Sequence, residues 1–323
     1  MTEGTAFTTI VGASSTKTKL ALAVAAAFLV VVIVPLVFAT RPYFLNVLTN
    51  ASILAFVSLG VWVTFSIGRI NIAQGAFAMI GGYTTAILET RYGVSFWICL
   101  PLSAVTAALA GILIGLPILR LKGVYFAMIS LSLTEAVRLL FLNGGDFTRG
   151  ATGITNIPRP FGINSPVGFY LISAVLLVLG MLTVWRLSTS RIGAVFRSLR
   201  QNEDLAASVG IDVARYRLIA FALSSALGGM GGAFYAAFQQ NIYPATYSVT
   251  DSINFMLYCF LGGLNYVFGP LVGSFLLIIA FEVLHGAQQY QSLIYGVIMI
   301  VLMLWLPNGI LSVKIPGMRA NSS

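Results

Sequence analysis

The sequence predicts an all-α integral membrane protein of about ten transmembrane helices (eight to ten), some of them re-entrant or broken, and three observations predict it. Hydrophobic residues fill 58% of the 323 positions and charged residues 8%, where a soluble domain carries roughly 25% charge. The apolar residues fall in runs near the length a helix needs to cross the hydrocarbon core. The charges that remain sit mostly between those runs, with the basic ones gathered on alternate loops.

The same composition excludes several function classes. A net charge of +9 can attract phosphate. Here no basic cluster is interleaved with exposed aromatics, so nucleic acid is not a partner and the cations belong to loops at the lipid bilayer surface. The two cysteines, Cys99 and Cys259, both lie in apolar runs and read as small buried hydrophobes. A single histidine, His285, leaves no multi-histidine metal site, and no Gly-rich phosphate loop is present. No metal and no cofactor is expected, and the chain is not expected to be an enzyme.

Residues 1–19 form a polar arm ending in Lys17 and Lys19, followed by an uncharged run over 20–39. A cleaved signal peptide would also have a basic start, but this run exceeds the usual apolar core of about 7–15 residues and fits a retained helix. A second span covers 47–68. The third, 70–88, carries Asn71, Gln74, Tyr83 and the pair Gly81-Gly82. Small residues let helix backbones approach in lipid, and buried amides there are either interhelical glue or lining of a pathway. Spans four and five cover 95–116 and 124–142; Glu135 and Arg138 share one face of the fifth as an ion pair or a pathway feature. A loop rich in turn residues, 143–166, starts at Asn143. Span six covers 167–187 and span seven 218–238, with Gly228, Gly229, Gly231 and Gly232 flattening one face. The run 252–261 is short and is interrupted by GGLNYVFGP before 271–284, a pattern of discontinuous elements. The last span is 292–306. The polytopic transmembrane domain thus covers 20–310 and a polar tail 311–323.

With the amino terminus inside, inner loops hold Lys17, Lys19, Arg69, Arg120, Lys122, Arg186, Arg191, Arg197, Arg200, Arg215, Arg217, Lys314 and Arg319. The outer side holds Arg41, Arg91, Arg149 and Arg159. This asymmetry predicts that both termini are cytoplasmic.

One polar stretch stands out, the loop 188–217. The run from Arg186 to Arg217 holds nine of the chain's charges. Residues 201–209 favour a helix, with Glu203 and Asp204 near its positive start, Ala206 and Ala207 small enough to seat against a partner, and Gly210 as its terminator. A solvated connector would also fit, though it need not be this helical.

The run RIGAVFRSLRQNEDLAASVGIDVARYRLIAFALSSALGGMGGAFYA resembles the cytoplasmic-loop signature of ABC-transporter permeases of the branched-chain amino-acid uptake family. Glu203, Ala206 or Ala207, Gly210, Arg217, Ala220 and Phe221 carry the match. RLKGVYFAMISLSLTEAVRLL, GATGITNIPRP, GAFAMIGGYTTAIL and LGGLNYVFGPLVG are similar to further family segments in the same order. The resemblance covers roughly residues 45–310 and its texture is that of the M-type subunit. Gly82 stands where alanine is usual, and Gln74 where relatives often carry histidine or glycine.

The resemblance implies an inner-membrane permease subunit of a bacterial ABC importer. Its partners would be a second homologous permease subunit, two ATP-binding subunits that hydrolyse ATP, and a periplasmic or lipid-anchored solute-binding protein. Arg197, Arg200, Glu203, Asp204, Ala206, Ala207 and Gly210 would form the helix that couples to an ATPase. Asn71, Gln74, Tyr83, Glu135 and Asn143 would be candidates for lining the pathway. The solute would be a branched-chain amino acid or, as related permeases carry, urea or a short amide. An ion-coupled secondary transporter is the alternative from another class; it needs membrane-embedded ionisable groups, and only Glu135, Arg138, Asp251 and Glu282 stand near spans.

Overall fold

A computed structural model describes residues 42–121, 123–160, 165–284 and 309–312, with isolated positions between 293 and 304. The expected first span, most of the last span over 292–306, Lys122, His285, the amino-terminal arm and nearly all of the tail lie outside the described residues. Five described helices are long and apolar enough to cross a membrane: α1 (Pro42–Phe65), α3 (Phe96–Ile118), α4 (Gly123–Leu142), α5 (Pro166–Thr189) and α8 (Val213–Gln239). Between them, α2 (Gln74–Tyr92) is shorter and carries Gln74, Thr84, Thr85 and Glu89. Helices α9 (Val249–Gly262) and α10 (Gly269–Val283) are of 14 and 15 residues, about 21–23 Å at 1.5 Å per residue.

The centre of the bundle is α8, which packs against α1, α2 and α3. Its glycines make those contacts close. A Cβ on Gly232 would stand 1.9 Å from the Ala78 carbonyl oxygen, and one on Gly81 would stand 2.1 Å from that of Gly229. The two Gly/Ala-rich segments therefore meet backbone to backbone. In lipid, where apolar burial gives no drive between helices, such contact supplies dispersion and weak C–H hydrogen bonds instead.

The third apolar run does not start as a helix. Gly68 adopts φ +78, residues 69–73 run without helical structure, and α2 begins only at Gln74. The cause is local: the Asn71 side-chain oxygen accepts from the Ala73 amide at 2.9 Å, an Asx-type turn that competes with a helix. Gln74 donates to the carbonyls of Val57 (3.0 Å) and Ser224 (3.1 Å) and accepts from the Ser224 hydroxyl (3.0 Å). Val57 sits eight residues before the end of α1, about 12 Å along its axis. Non-helical backbone therefore leads into the bundle, where its polar groups must find partners within the protein. Side chains supply them: the Ile72 amide donates to Ser130 (3.1 Å), its carbonyl accepts from Thr134 (3.0 Å), and the Gly75 amide donates to Ser252 (3.1 Å).

The interrupted apolar run after α8 matches expectation. Asp251 closes a capping box with Ser248 at the start of α9, and Gly263, φ +112, ends it before α10. The long loop after α4 holds a helical turn (Gly145–Thr148) and a two-residue strand β1 (Ile154–Thr155), antiparallel to β2 (Asn241–Ile242) with Ile154 opposite Ile242. Arg91 holds this loop through the Asp146 and Phe147 carbonyls.

Candidate coupling site

The polar stretch forms two helices, α6 (Arg191–Gln201) and α7 (Glu203–Ser208), where one continuous helix over 201–209 is expected from the sequence. The break is at Asn202, whose extended backbone (φ −160, ψ 110) leaves the helical region. Its side-chain oxygen then accepts from the amides of Asp204 and Leu205, both at 3.0 Å, so it caps α7. Gly210 (φ +85) ends α7: its amide donates to Ala207 and that of Ile211 to Ala206, a Schellman termination that needs a left-handed residue.

Helix α6 lays one side on the bundle through the buried Gly193, Phe196 and Leu199. Arg197 stays exposed and returns to the Ser188 carbonyl. Arg200 lies 4.7 Å over the Phe65 ring and donates to the Asn265 side chain at 2.9 Å. Partial burial lowers the pKa of its guanidinium. In α7 the two alanines divide: Ala206 is buried and Ala207 exposed. Asp204 and Gly210 are exposed as well. Leu205 and Val209, 64% and 72% exposed, form an apolar ridge on the outer side of α7.

Glu203 does not share that outward side. Its carboxylate accepts from Arg69 at 3.0 Å and from Arg217, with side-chain exposures of 19% for Glu203, 4% for Arg69 and 10% for Arg217. Each arginine also donates to the end of α3: Arg217 to the Leu119 carbonyl at 3.2 Å and Arg69 to that of Leu121. Arg69 further stands 5.8 Å over the Phe126 ring. Desolvation, and then the neighbouring Arg217, lower the Arg69 pKa, while Glu203 opposes both. Two charge-assisted forks thus tie α7 to the neighbouring ends of α1, α3 and α8. A cleft of about 280 Å³ opens beside them between Gly68–Arg69 and Leu199–Asp204.

The five residues considered for the pathway fall in two groups. Asn71, Gln74 and Tyr83 are fully buried; Gln74 bonds α1 to α8 as described, and Tyr83 stacks on Phe141 at 4.3 Å. The other two face outward. Glu135 accepts from Arg138 at 2.6 and 2.9 Å, and exposed Asn143 donates to the Leu139 carbonyl at 2.9 Å. In the sequence Arg69 reads only as a loop cation and Arg217 only as a motif position. A signal exists for Arg69: it stands between two apolar runs with almost no loop to occupy, which demands a partner for its charge.

The family described as "Branched-chain amino acid transport system / permease component" matches residues 43–303. The high-affinity branched-chain amino acid transport system permease protein LivM of Escherichia coli K12 is 32% identical over 299 residues, covering 84% of this chain and 70% of that protein. The probable branched-chain amino acid transport permease protein LivH of Methanocaldococcus jannaschii is 28% identical, over 81% of this chain and 90% of that protein. The ribose import permease protein RbsC of Escherichia coli K12 is 22% identical, over 81% and 84% respectively. No solved structure matches the chain. With the match spanning α1 to beyond α10, the chain belongs to the branched-chain amino acid transport permease family, the permease components of ABC transport systems.

Proposed function

We propose that this chain is the M-type permease subunit of an ABC importer for branched-chain amino acids, driven by partner ATPases that receive helices α6 and α7. One observation carries the reading. Helix α7 is fixed to the bundle by Glu203 on one side and offers Leu205 and Val209 on the other. A rigid helix with an uncovered apolar ridge suits a groove in a second protein. The described cations support the orientation: Arg69, Arg120 and Arg186 to Arg217 gather at one end of the bundle, Arg91, Arg149 and Arg159 at the other. The basic end would be cytoplasmic, which puts the loop 188–217 beside the ATPases in a bacterial inner membrane.

A second, homologous permease subunit would cover α4. That helix leaves Val124, Tyr125, Met128 and Leu140 exposed and carries the Glu135–Arg138 pair, half open, within its apolar run. Ionised groups in a span ordinarily face protein or a water-filled cavity, so the pathway would run along this face, with Glu135 and Asn143 on it. Asn71, Gln74 and Tyr83 would shape it from within. The solute class rests on the similarity to LivM, and delivery would fall to a periplasmic or lipid-anchored binding protein. Uptake by the complete system tests the reading. Glu203→Lys, or Gly210→Pro at φ +85, should abolish leucine uptake while the chain remains inserted. Normal uptake by either variant at equal expression would refute the coupling role; a wild-type system that takes up urea but no leucine would refute the solute.

A further inference from the structure

The charge cluster joins α7 to more than the rim of the bundle. Arg69 is the residue at which α1 has ended and α2 has not begun. Directly after it, residues 70–73 run as non-helical backbone, turned by the Asn71 side chain, and end at Gln74 between α1 and α8. The hydrogen bonds of that segment go to single hydroxyls: Ser130 and Thr134 of α4, with Ser252 of α9 on Gly75. Thr134 and Ser252 also meet each other at 3.4 Å. All three are buried. The segment therefore continues the Arg69–Glu203 contact, through a few bonded residues, to polar groups shared by two other helices.

We propose that Arg69 is a positioning residue of the transport cycle: it hands displacement of α7 to residues 70–73, whose hydroxyl contacts set the placing of α4 against α9. This rests on the coupling role given to α7 above. The geometry favours transmission over mere anchorage. Arg69 holds Glu203 with one guanidinium nitrogen and the Leu121 carbonyl, at the approach to α4, with the other. Movement of α7 must stretch this fork or move the backbone that carries it. A non-helical segment held by individual side-chain bonds can shift by exchanging partners, whereas the flanking helices are fixed by their own ladders. Arg217 grips the same carboxylate but sits inside α8, so it anchors Glu203 to the central helix and offers no comparable route.

The test uses the complete transporter with its ATPases and binding protein in proteoliposomes, reading radiolabelled leucine taken up per ATP hydrolysed. Arg69→Met and Glu203→Gln should each lower that ratio at least tenfold. The double variant should be no worse than the poorer single, because one link is cut twice. Arg69→Lys, which keeps the cation but loses the fork, should recover part of the ratio. Multiplying losses in the double variant, or an unchanged ratio in Arg69→Met, would overturn the proposal. Hydrogen exchange serves if a variant assembles poorly. In Glu203→Gln the amides of residues 70–75 should exchange at least tenfold faster than in the wild type, while those within α3 stay as they are; unchanged exchange at 70–75 overturns the proposal too. A wild-type complex without leucine transport would instead overturn the functional reading on which this rests.

Discussion

Gln74 shows what a polar residue does when it is wholly buried. Its amide uses both ends, donating to the Val57 and Ser224 carbonyls and accepting from the Ser224 hydroxyl, and it is fully buried. Glycines make room for it: a Cβ on Gly60 would stand 2.1 Å from its Nε2 and one on Gly228 would stand 2.9 Å away. Each interhelical hydrogen bond in a membrane protein is worth about 0.6–2 kcal/mol, and Ser224 would lose its side-chain acceptor if the amide went. Gln74→Leu should therefore destabilise the chain by about 1–3 kcal/mol. Thermal unfolding in detergent, followed by tryptophan fluorescence, checks this: the midpoint should fall by several degrees. An unchanged midpoint would mean that the amide is not glue between α1 and α8, which is the more specific role its partners give it.

At the scale of elements, the packing of α2 on α8 depends on the absence of side chains. A methyl on Gly232 would meet the Ala78 carbonyl oxygen at 1.9 Å, a backbone atom that cannot swing aside, whereas a methyl on Gly123 meets nothing within 4 Å. Gly232→Ala should cost about 1–3 kcal/mol through overpacking. Gly123→Ala should cost no more than about 1–2 kcal/mol, from its φ of +58 alone. Unfolding midpoints of the two variants check this; a midpoint left unchanged by Gly232→Ala would argue against the tight crossing. The close-packing faces are legible in the amino-acid pattern, since runs of apolar residues set the spans and the Gly/Ala stripes 75–82 and 228–237 mark faces without bulk. That these two faces meet each other is not legible. The break between α9 and α10 is, because Gly and Pro cluster there. The start of α2 is not legible, because Asn71, Ile72 and Ala73 can all enter helices and only the Asx turn and three distant hydroxyls decide otherwise. Nor is the joint at Asn202, a residue that suits a helix end but lies inside a good helical run. The pairing of Glu203 with Arg69 spans 134 positions, and no local pattern encodes a contact at that separation.

For the whole molecule, the arrangement separates two jobs that one polar stretch could have mixed. The inner side of α6–α7 is consumed by the bundle, through Phe196, Leu199, Ala206 and the Glu203 carboxylate. The outer side keeps Leu205 and Val209 in the open, and burying a leucine of that exposure in a partner groove is worth roughly 1.5–3 kcal/mol. Leu205→Glu should then leave the stability of the isolated chain within about 0.5 kcal/mol of the original, as surface substitutions do. It should nevertheless weaken association with the ATPase subunits about tenfold or more, since the buried area is lost and a carboxylate must be desolvated in the groove. Titrating the purified ATPase against the reconstituted permease, with binding-protein-stimulated ATP hydrolysis as the readout, measures that shift. Glu203 variants should behave in the opposite way, because their defect lies behind the helix: ATPase association persists and uptake is lost. If Leu205→Glu and Glu203→Lys instead fail identically, with the ATPase released by both, then α7 has a single face in function and the division between its inner and outer sides is wrong.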